Sequence, residues 1–370
     1  MKEQGLSGSD GNPTKPDAHP QVGSDRIFGC LLGGAIGDAL GAPVEFHDLG
    51  RIRHEQGPDG VADYVNGQWP GGTFTDDTQM TLFTAEGLIR ADNQLRADGN
   101  SDPLRAIWHA YQRWLDTQGM PVPWDEGTPP GLSGWLVEDP VLRARRAPGN
   151  TCLGALRSAT PGTEDRPSNN SKGCGGAMRV APIGLVADDP FELGLAAAAL
   201  THGHPSGYLA AGCFAWLISR VARGDQLLAA ATRAAEIVSL KAHSGEITSA
   251  LHGALELASD GEEPTAEALE TLGGGWIAEE ALAISVYCAL VARDFRHGVL
   301  LAVNHSGDSD STGSMTGNLL GAALGVNAVP DRWRTNLRGR EVVEEVARDL
   351  SRHYSGTAQF PPDDDRYPPW

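Results

Sequence analysis

The sequence predicts a nearly all-α chain, on three observations. Segments with apolar residues at helical spacing follow one another along most of the 370 residues, and no stretch shows the period-2 alternation of a half-buried strand. Two segments far apart in the chain carry glycine at every fourth position: Gly29, Gly33, Gly37 and Gly41, then Gly313, Gly317, Gly321 and Gly325. Each glycine weakens a helix by roughly 1 kcal/mol, so a regular stripe implies a flat face where another backbone comes close. Both striped helices are expected at the heart of the domain, packed on each other. Such spacing also marks paired membrane spans, but Asp38, Thr316 and Asn318 argue against lipid. No strand precedes the first stripe to feed a GxGxxG dinucleotide loop.

Taken in order, residues 1–24 hold Gly, Ser, Asp, Pro and Lys without an apolar h-region and read as a disordered leader, not a signal peptide. The helix of residues 26–41 ends at Pro43, leaving Glu45 in a loop that continues, Gly- and Asp-rich, over residues 47–72. Residues 76–90 read as a helix capped by Thr75 or Asp76, and residues 104–115 as an amphipathic one. Residues 117–150, thick with Pro, Gly and Trp, form a surface insertion able to wall a pocket. A short helix over 151–159, a polar loop over 161–172 and a glycine-rich run from Gly173 to Pro182 follow. Further helices are expected over 191–200, 208–223, 226–240, 245–258, 264–272 with Pro264 in the first turn, 277–293 and 342–353, with residues 295–304 leading from the sixth of these into an acidic run. Residues 25–354 thus make one domain, before a Pro- and Asp-rich disordered tail over 355–370.

At 40% hydrophobic residues the chain can bury a sizeable core. Lys and Arg number 29 against 48 Asp and Glu, a net charge of −19, and no basic run appears. That balance argues against a nucleic-acid groove, which needs clustered Lys and Arg. If the substrate is itself anionic, bound cations must offset the repulsion. The five cysteines are scattered, without CxxC pairs, which fits a reducing cytoplasm. The longest apolar run, residues 208–221, is too short and too interrupted for a membrane span. A cytoplasmic monomer without membrane or nucleic-acid partners is expected.

The chemistry concentrates in residues 304–313, where Asp308 and Asp310 stand among Ser306, Ser309, Ser311 and Thr312. These oxygens suit a hard cation such as Mg²⁺ or Mn²⁺. A second half-site lies at Thr75, Asp76, Asp77 and Thr78, and the four Asp and their hydroxyls together match the ligand count of a two-metal site. Such clusters are also ordinary turns and helix caps. Both readings can hold together, since a helix start fixes short polar side chains. The glycine run could bring N–H groups and Arg179 to a phosphate, or simply turn tightly. His202 and His204 lack a third ligand nearby, so a ligand donor or a buried structural histidine is preferred to zinc for His202.

The chain resembles the ADP-ribosylglycohydrolases over about residues 26–325. The resemblance rests on five runs in family order: GGAIGDALGAPVEF over 33–46, TDDT over 75–78, KGCGGAMRVAP over 172–182, THGHP over 201–205 and SGDSDS over 306–311. It implies a compact orthogonal bundle of helices with a binuclear metal cleft at its centre. Thr75, Asp76 and Asp77 would bind two divalent cations from one side, and Asp308, Asp310 and Ser311 from the other. Many relatives have Thr where this chain has Ser309 and Ser311, and Ser keeps the ligating oxygen. Gly173, Gly175, Gly176, Met178 and Arg179 would cradle diphosphate and ribose, with His202 nearby. Glu45 matches a glutamate that in some relatives lies on a mobile loop by the metals.

The implied reaction is metal-dependent cleavage of the glycosidic bond at C1 of the distal ribose, with ADP-ribosyl-arginine on protein as the favoured target. Glu45, Asp77 and Asp308 are the candidate catalytic carboxylates. Substrates of the resemblance are an ADP-ribosylated protein or a small ADP-ribosyl conjugate. Serine, base or O-acyl linkages are alternatives. A helical Mg²⁺-dependent phosphohydrolase or prenyl-diphosphate enzyme would also use paired Asp-rich helices, but leaves the glycine and histidine runs without a role. A non-enzymatic, crystallin-like member would be expected to have degraded ligands, and all six positions here are filled.

Overall fold

A computed structural model describes residues 21–123, 132–354 and 365–369. Among them are sixteen α-helices and four short 3-10 turns, with two isolated bridges, Thr73 to Arg338 and Gly173 to Ile277. The expectation of an all-α chain holds. The helices are α1 (Ser24–Gly41), α2 (Leu49–Gln56), α3 (Asp76–Asp98), α4 (Pro103–Thr117) and α5 (Asn150–Leu156). Then come α6 (Ala181–Val186), α7 (Pro190–Ala199), α8 (Pro205–Ala222), α9 (Leu227–Ser239), α10 (Gly245–Ser259) and α11 (Ala266–Leu269). The last are α12 (Ala278–Leu290), α13 (Phe295–Val303), α14 (Ser309–Leu324), α15 (Asp331–Asn336) and α16 (Arg340–Tyr354).

The two glycine stripes meet as expected. A Cβ placed on Gly29, Gly33 or Gly37 of α1 would run into the backbone carbonyl of Gly321, Gly317 or Gly313 of α14, and the reverse substitutions collide in the same way. Gly41 lies against the Ser309 carbonyl at the start of α14. Asn318 of α14 donates across the seam to the Cys30 carbonyl at 2.8 Å. Helices α3, α6, α8, α12, α13 and α16 surround this pair. The seam therefore brings the end of α1 to the start of α14, where the acidic residues are.

Four expectations are corrected. The loop over 47–72 contains α2, whose start is capped by Asp48 accepting from Arg51 N at 2.7 Å. Its buried face is only Leu49 and Ile52, too short a pattern to stand out. The insertion is not wholly superficial, because Leu136, Val137 and Leu142 reach the core; residues 124–131 lie outside the described part. Thr265 caps α11 by accepting from Ala268 N, so Pro264 precedes the helix. At the far end, residues 365–369 are seated: Tyr367 is fully buried, donates to Asp349 at 2.8 Å, and its carbonyl accepts from Asn93. The disordered-tail expectation fails for these residues, while 355–364 and 370, like the leader over 1–20, lie outside the described part. All five cysteines are free, and no described helix is long and apolar enough to cross a membrane.

Candidate active site

Asp38, set in the glycine stripe of α1, organises one half of the site. Its fully buried carboxylate accepts from Thr75 N at 2.8 and 3.0 Å, from Thr78 N at 3.1 Å and from the Thr78 hydroxyl at 2.5 Å. Those donors belong to the exposed-amide end of a helix, which needs acceptors. Asp38 supplies them from another element, and so fixes Thr75, Asp76 and Asp77. Asp76 is held further by Gly149 N donating to its Oδ2 at 3.1 Å.

The other half starts α14, where Asp308 caps the helix and Asp310 Oδ1 accepts from Ser311 N at 2.9 Å. Asp308 N donates to the Gly274 carbonyl at 2.8 Å. The thiol of Cys174 donates to Asp308 Oδ2 at 2.8 Å. The halves join directly: the Thr75 hydroxyl donates to Asp310 Oδ2 at 3.3 Å across 235 positions of sequence. Both helix starts point their positive dipole ends at this meeting place.

Glu45 enters from the turn after α1, and an oxygen of Glu45, Asp308 and Asp310 all lie within 4.8 Å of one another. Burial and then Asp310, Asp308, Asp76 and Asp38 push the Glu45 carboxyl up to about 11. Burial and Asp310 raise Asp38 to about 7, against the hydrogen bonds from Thr78 and Thr75. Asp76, Asp77 and Asp308 are also driven well above the ordinary range, chiefly by burial. For Asp77 every acting cause raises, and its Oδ2 is buried without a partner. Like charges this close must either hold protons or share cations. A hard divalent cation fits the donor set, since it would satisfy Asp77 Oδ2 and relieve all six carboxylates together.

Around this acidic floor lies a cleft of about 200 Å³, lined by Glu45, Asp76, Asp77, Asp308, Asp310 and Ser311 with Gly173, Cys174, Gly175, Met178, His202 and Trp276. Most of the residues anticipated from the sequence therefore converge. Thr75 and Gly176 lie behind the lining.

Arg179 does not face the cleft, contrary to the diphosphate role expected of it. It is fully buried, stacks 4.1 Å above the Tyr111 ring, and donates to the Ala197 carbonyl at 3.1 Å and the Thr201 hydroxyl at 2.7 Å. That hydroxyl sits 2.8 Å from His202 Nδ1. Burial and the Arg179 charge push His202 down to about 3, so its ring is neutral. Gly175 and Gly176 have no side chain to collide with that ring, over which the loop runs. Arg179 is thus a positioning residue for His202.

Sequence reasoning missed Asp38, Cys174, Trp276 and Thr151, whereas the insertion does wall the cleft, through Ala147, Gly149 and Asn150. The GGGW run over 273–276 could have drawn attention to Trp276, because two of its glycines, Gly273 and Gly275, need positive φ. Nothing local distinguishes Asp38 from a polar residue that breaks a stripe.

The sequence model of the ADP-ribosylglycohydrolase family matches residues 19–359. The ADP-ribosyl-[dinitrogen reductase] glycohydrolase of Rhodospirillum rubrum is 27% identical, over 91% of this chain and 96% of its own length. The ADP-ribosylarginine hydrolase Tri1 of Pseudomonas putida is 24% identical, over 90% of this chain and 79% of its own. Among solved structures, a chain of an ADP-ribosylglycohydrolase-related protein complex superposes with a TM-score of 0.64 and 27% identity, covering 90% of this chain and 98% of that one.

Proposed function

The chain belongs to the ADP-ribosylglycohydrolase family, and from that premise we propose that it releases ADP-ribose by hydrolysing the bond at C1 of the distal ribose, with ADP-ribosyl-arginine on a protein as the preferred linkage. The observation that carries this reading is the meeting of two acidic helix starts, 235 positions apart at Thr75 and Asp310, in a cleft of about 200 Å³. That volume is below the roughly 300–1,000 Å³ of sites that engulf a drug-sized ligand. It suits the sugar end alone. The rest of the nucleotide would then run over Asn150 and Thr151 into the adjoining polar groove, which those two residues also line. Two relatives support the preference: one is named for an ADP-ribosylated protein and the other for ADP-ribosylarginine.

Thr75, Asp76, Asp77, Asp308, Asp310 and Ser311, with Glu45 closing the set, would hold two divalent cations, Mg²⁺ or Mn²⁺. Such cations, when bound, supply charge neutralisation, grip on the ribose diol and an acidified water. Glu45 is the carboxylate best placed to take up a proton in the cleft, being only partly buried and carried on a turn rather than a helix. Asp77 and Asp308 put negative charge beside C1, where positive charge develops as the bond to the target breaks. The Nδ1 of neutral His202 is engaged with the Thr201 hydroxyl, and its ring lies against the glycine loop.

Full-length protein incubated with defined ADP-ribosylated substrates should release ADP-ribose, and chelation with EDTA should stop it. Alanine at Asp76 or Asp310 should abolish release. Full activity in both variants, or release of phosphate in place of ADP-ribose, would refute the reading.

A further inference from the structure

Two large rings stand at the rim of the acidic cleft. Phe46 and Trp276 stack with centroids 5.4 Å apart and planes 22° from parallel, yet they are 73% and 43% exposed. Leaving such area in water forgoes roughly 25 cal/mol per Å², so folding alone does not account for the pair. Trp276 lines the cleft, and Phe46 directly follows Glu45 in the chain. The support beneath Trp276 is firm. Its carbonyl accepts from Cys174 N at 3.2 Å, and Glu280 accepts from Gly274 N and Gly275 N at 2.9 and 3.2 Å.

We propose that Trp276, backed by Phe46, is the specificity-determining platform that reads the arginine side chain of an ADP-ribosylated target by stacking its guanidinium on the indole face. The inference rests on the hydrolase reading above. In that reading the sugar would face the carboxylates of Glu45, Asp308 and Asp310, which come within 4.8 Å of one another, and the group attached at C1 would leave toward the rim, where Phe46 and Trp276 stand. A guanidinium is planar, cationic and weakly hydrated, and indole is the aromatic face that attracts cations best. The acidic surroundings favour the same charge. A hydroxyl-linked target is neutral at the linkage and gains nothing from the ring quadrupole. The chain itself uses the same contact elsewhere, with Arg366 4.2 Å over Trp135.

The test compares full-length protein with the Trp276→Ala and Trp276→Phe variants, in Mg²⁺, on one peptide carrying ADP-ribose on arginine and on the same peptide carrying it on serine. Calorimetric binding of free ADP-ribose is measured alongside. Trp276→Ala should lower kcat/KM on the arginine peptide roughly tenfold, as loss of one partly desolvated cation–π contact does, leaving ADP-ribose affinity and any serine turnover within about twofold. Trp276→Phe should recover most of the loss. Equal losses on both linkages would make the ring a passive wall, and a matching loss of ADP-ribose affinity would assign it to the nucleotide; either overturns the proposal, as does no loss. Turnover of the serine peptide alone overturns the platform but leaves the hydrolase standing, whereas release from neither peptide overturns both.

Discussion

Replacing Gly37 by alanine sets two opposed effects against each other. In a free helix the change would favour folding by roughly 1 kcal/mol. In this seam the new Cβ meets the carbonyl of Gly313 and the nitrogen of Ser314, all backbone, which cannot rotate away as a side chain can. Restoring van der Waals contact requires α1 and α14 to part by roughly 1 Å or more, which loosens the layers above and below in a close-packed interior. Overpacking costs about 1–3 kcal/mol where side chains can adjust, so a net loss near 3 kcal/mol is expected here. At roughly 2 °C per kcal/mol for a chain of this size, Tm should fall by about 6 °C. Because Gly41 touches Ser309 one turn further on, the same separation should weaken Mn²⁺ binding, read by calorimetry. Gly154 in α5 is the control: nothing lies within 4 Å of its would-be Cβ, so Gly154→Ala should be neutral or slightly stabilising. An unchanged Tm for Gly37→Ala would refute the seam as the anchor of the site.

Thr201→Val leaves the Arg179 guanidinium and His202 Nδ1 without their shared partner; a stability loss of about 2 kcal/mol by denaturant titration, with a larger fall in kcat than in ADP-ribose affinity, is expected. Glu45 and Asp38 have folded-state pKa values raised to about 11 and about 7, so in chelated protein their contribution is greatest below pH 4 and is lost as pH rises through those values. Mg²⁺ should therefore raise Tm more at pH 8 than at pH 5.5, and equal shifts would contradict the carboxylate assignment. His202 has the opposite sign: its pKa is lowered to about 3, so it penalises folding as pH falls below about 6.5, by about 2 kcal/mol at pH 5. His202→Gln should flatten that limb of the stability profile in Mg²⁺-loaded protein. Tyr367→Ala should cost about 3 kcal/mol if the end of the chain is docked as described, and nothing if it is not.

The sequence carried what depends on repetition and local chemistry. Apolar periodicity gave the longer helices, and the four-residue glycine spacing gave the contact of α1 with α14, because only backbone proximity makes so many helical glycines tolerable. The acidic clusters were legible for the same reason: carboxylates and hydroxyls packed into a few positions have few uses. What was illegible depends on long-range partners. Arg179 within a glycine run looks the same whether it faces a phosphate or, as here, lies over Tyr111 and holds Thr201. Asp38 shows its role only through amides 37 and 40 positions away. Tyr367 sits in a composition typical of disorder, and its partners Asp349 and Asn93 belong to other helices. Short helices such as α15, with Trp333 as its one buried residue, offer no period to detect.

The stitch between Thr75 and Asp310 has a consequence for biosynthesis. A ribosome must deliver the polypeptide through the start of α14 before the first acidic helix has anything to pair with, so a product terminated before it carries one acidic cluster without the other. Closure over so long a span is slow compared with local helix formation. Until that contact forms, the start of α3 is held by Asp38 and Gly149 N, both encoded before α14.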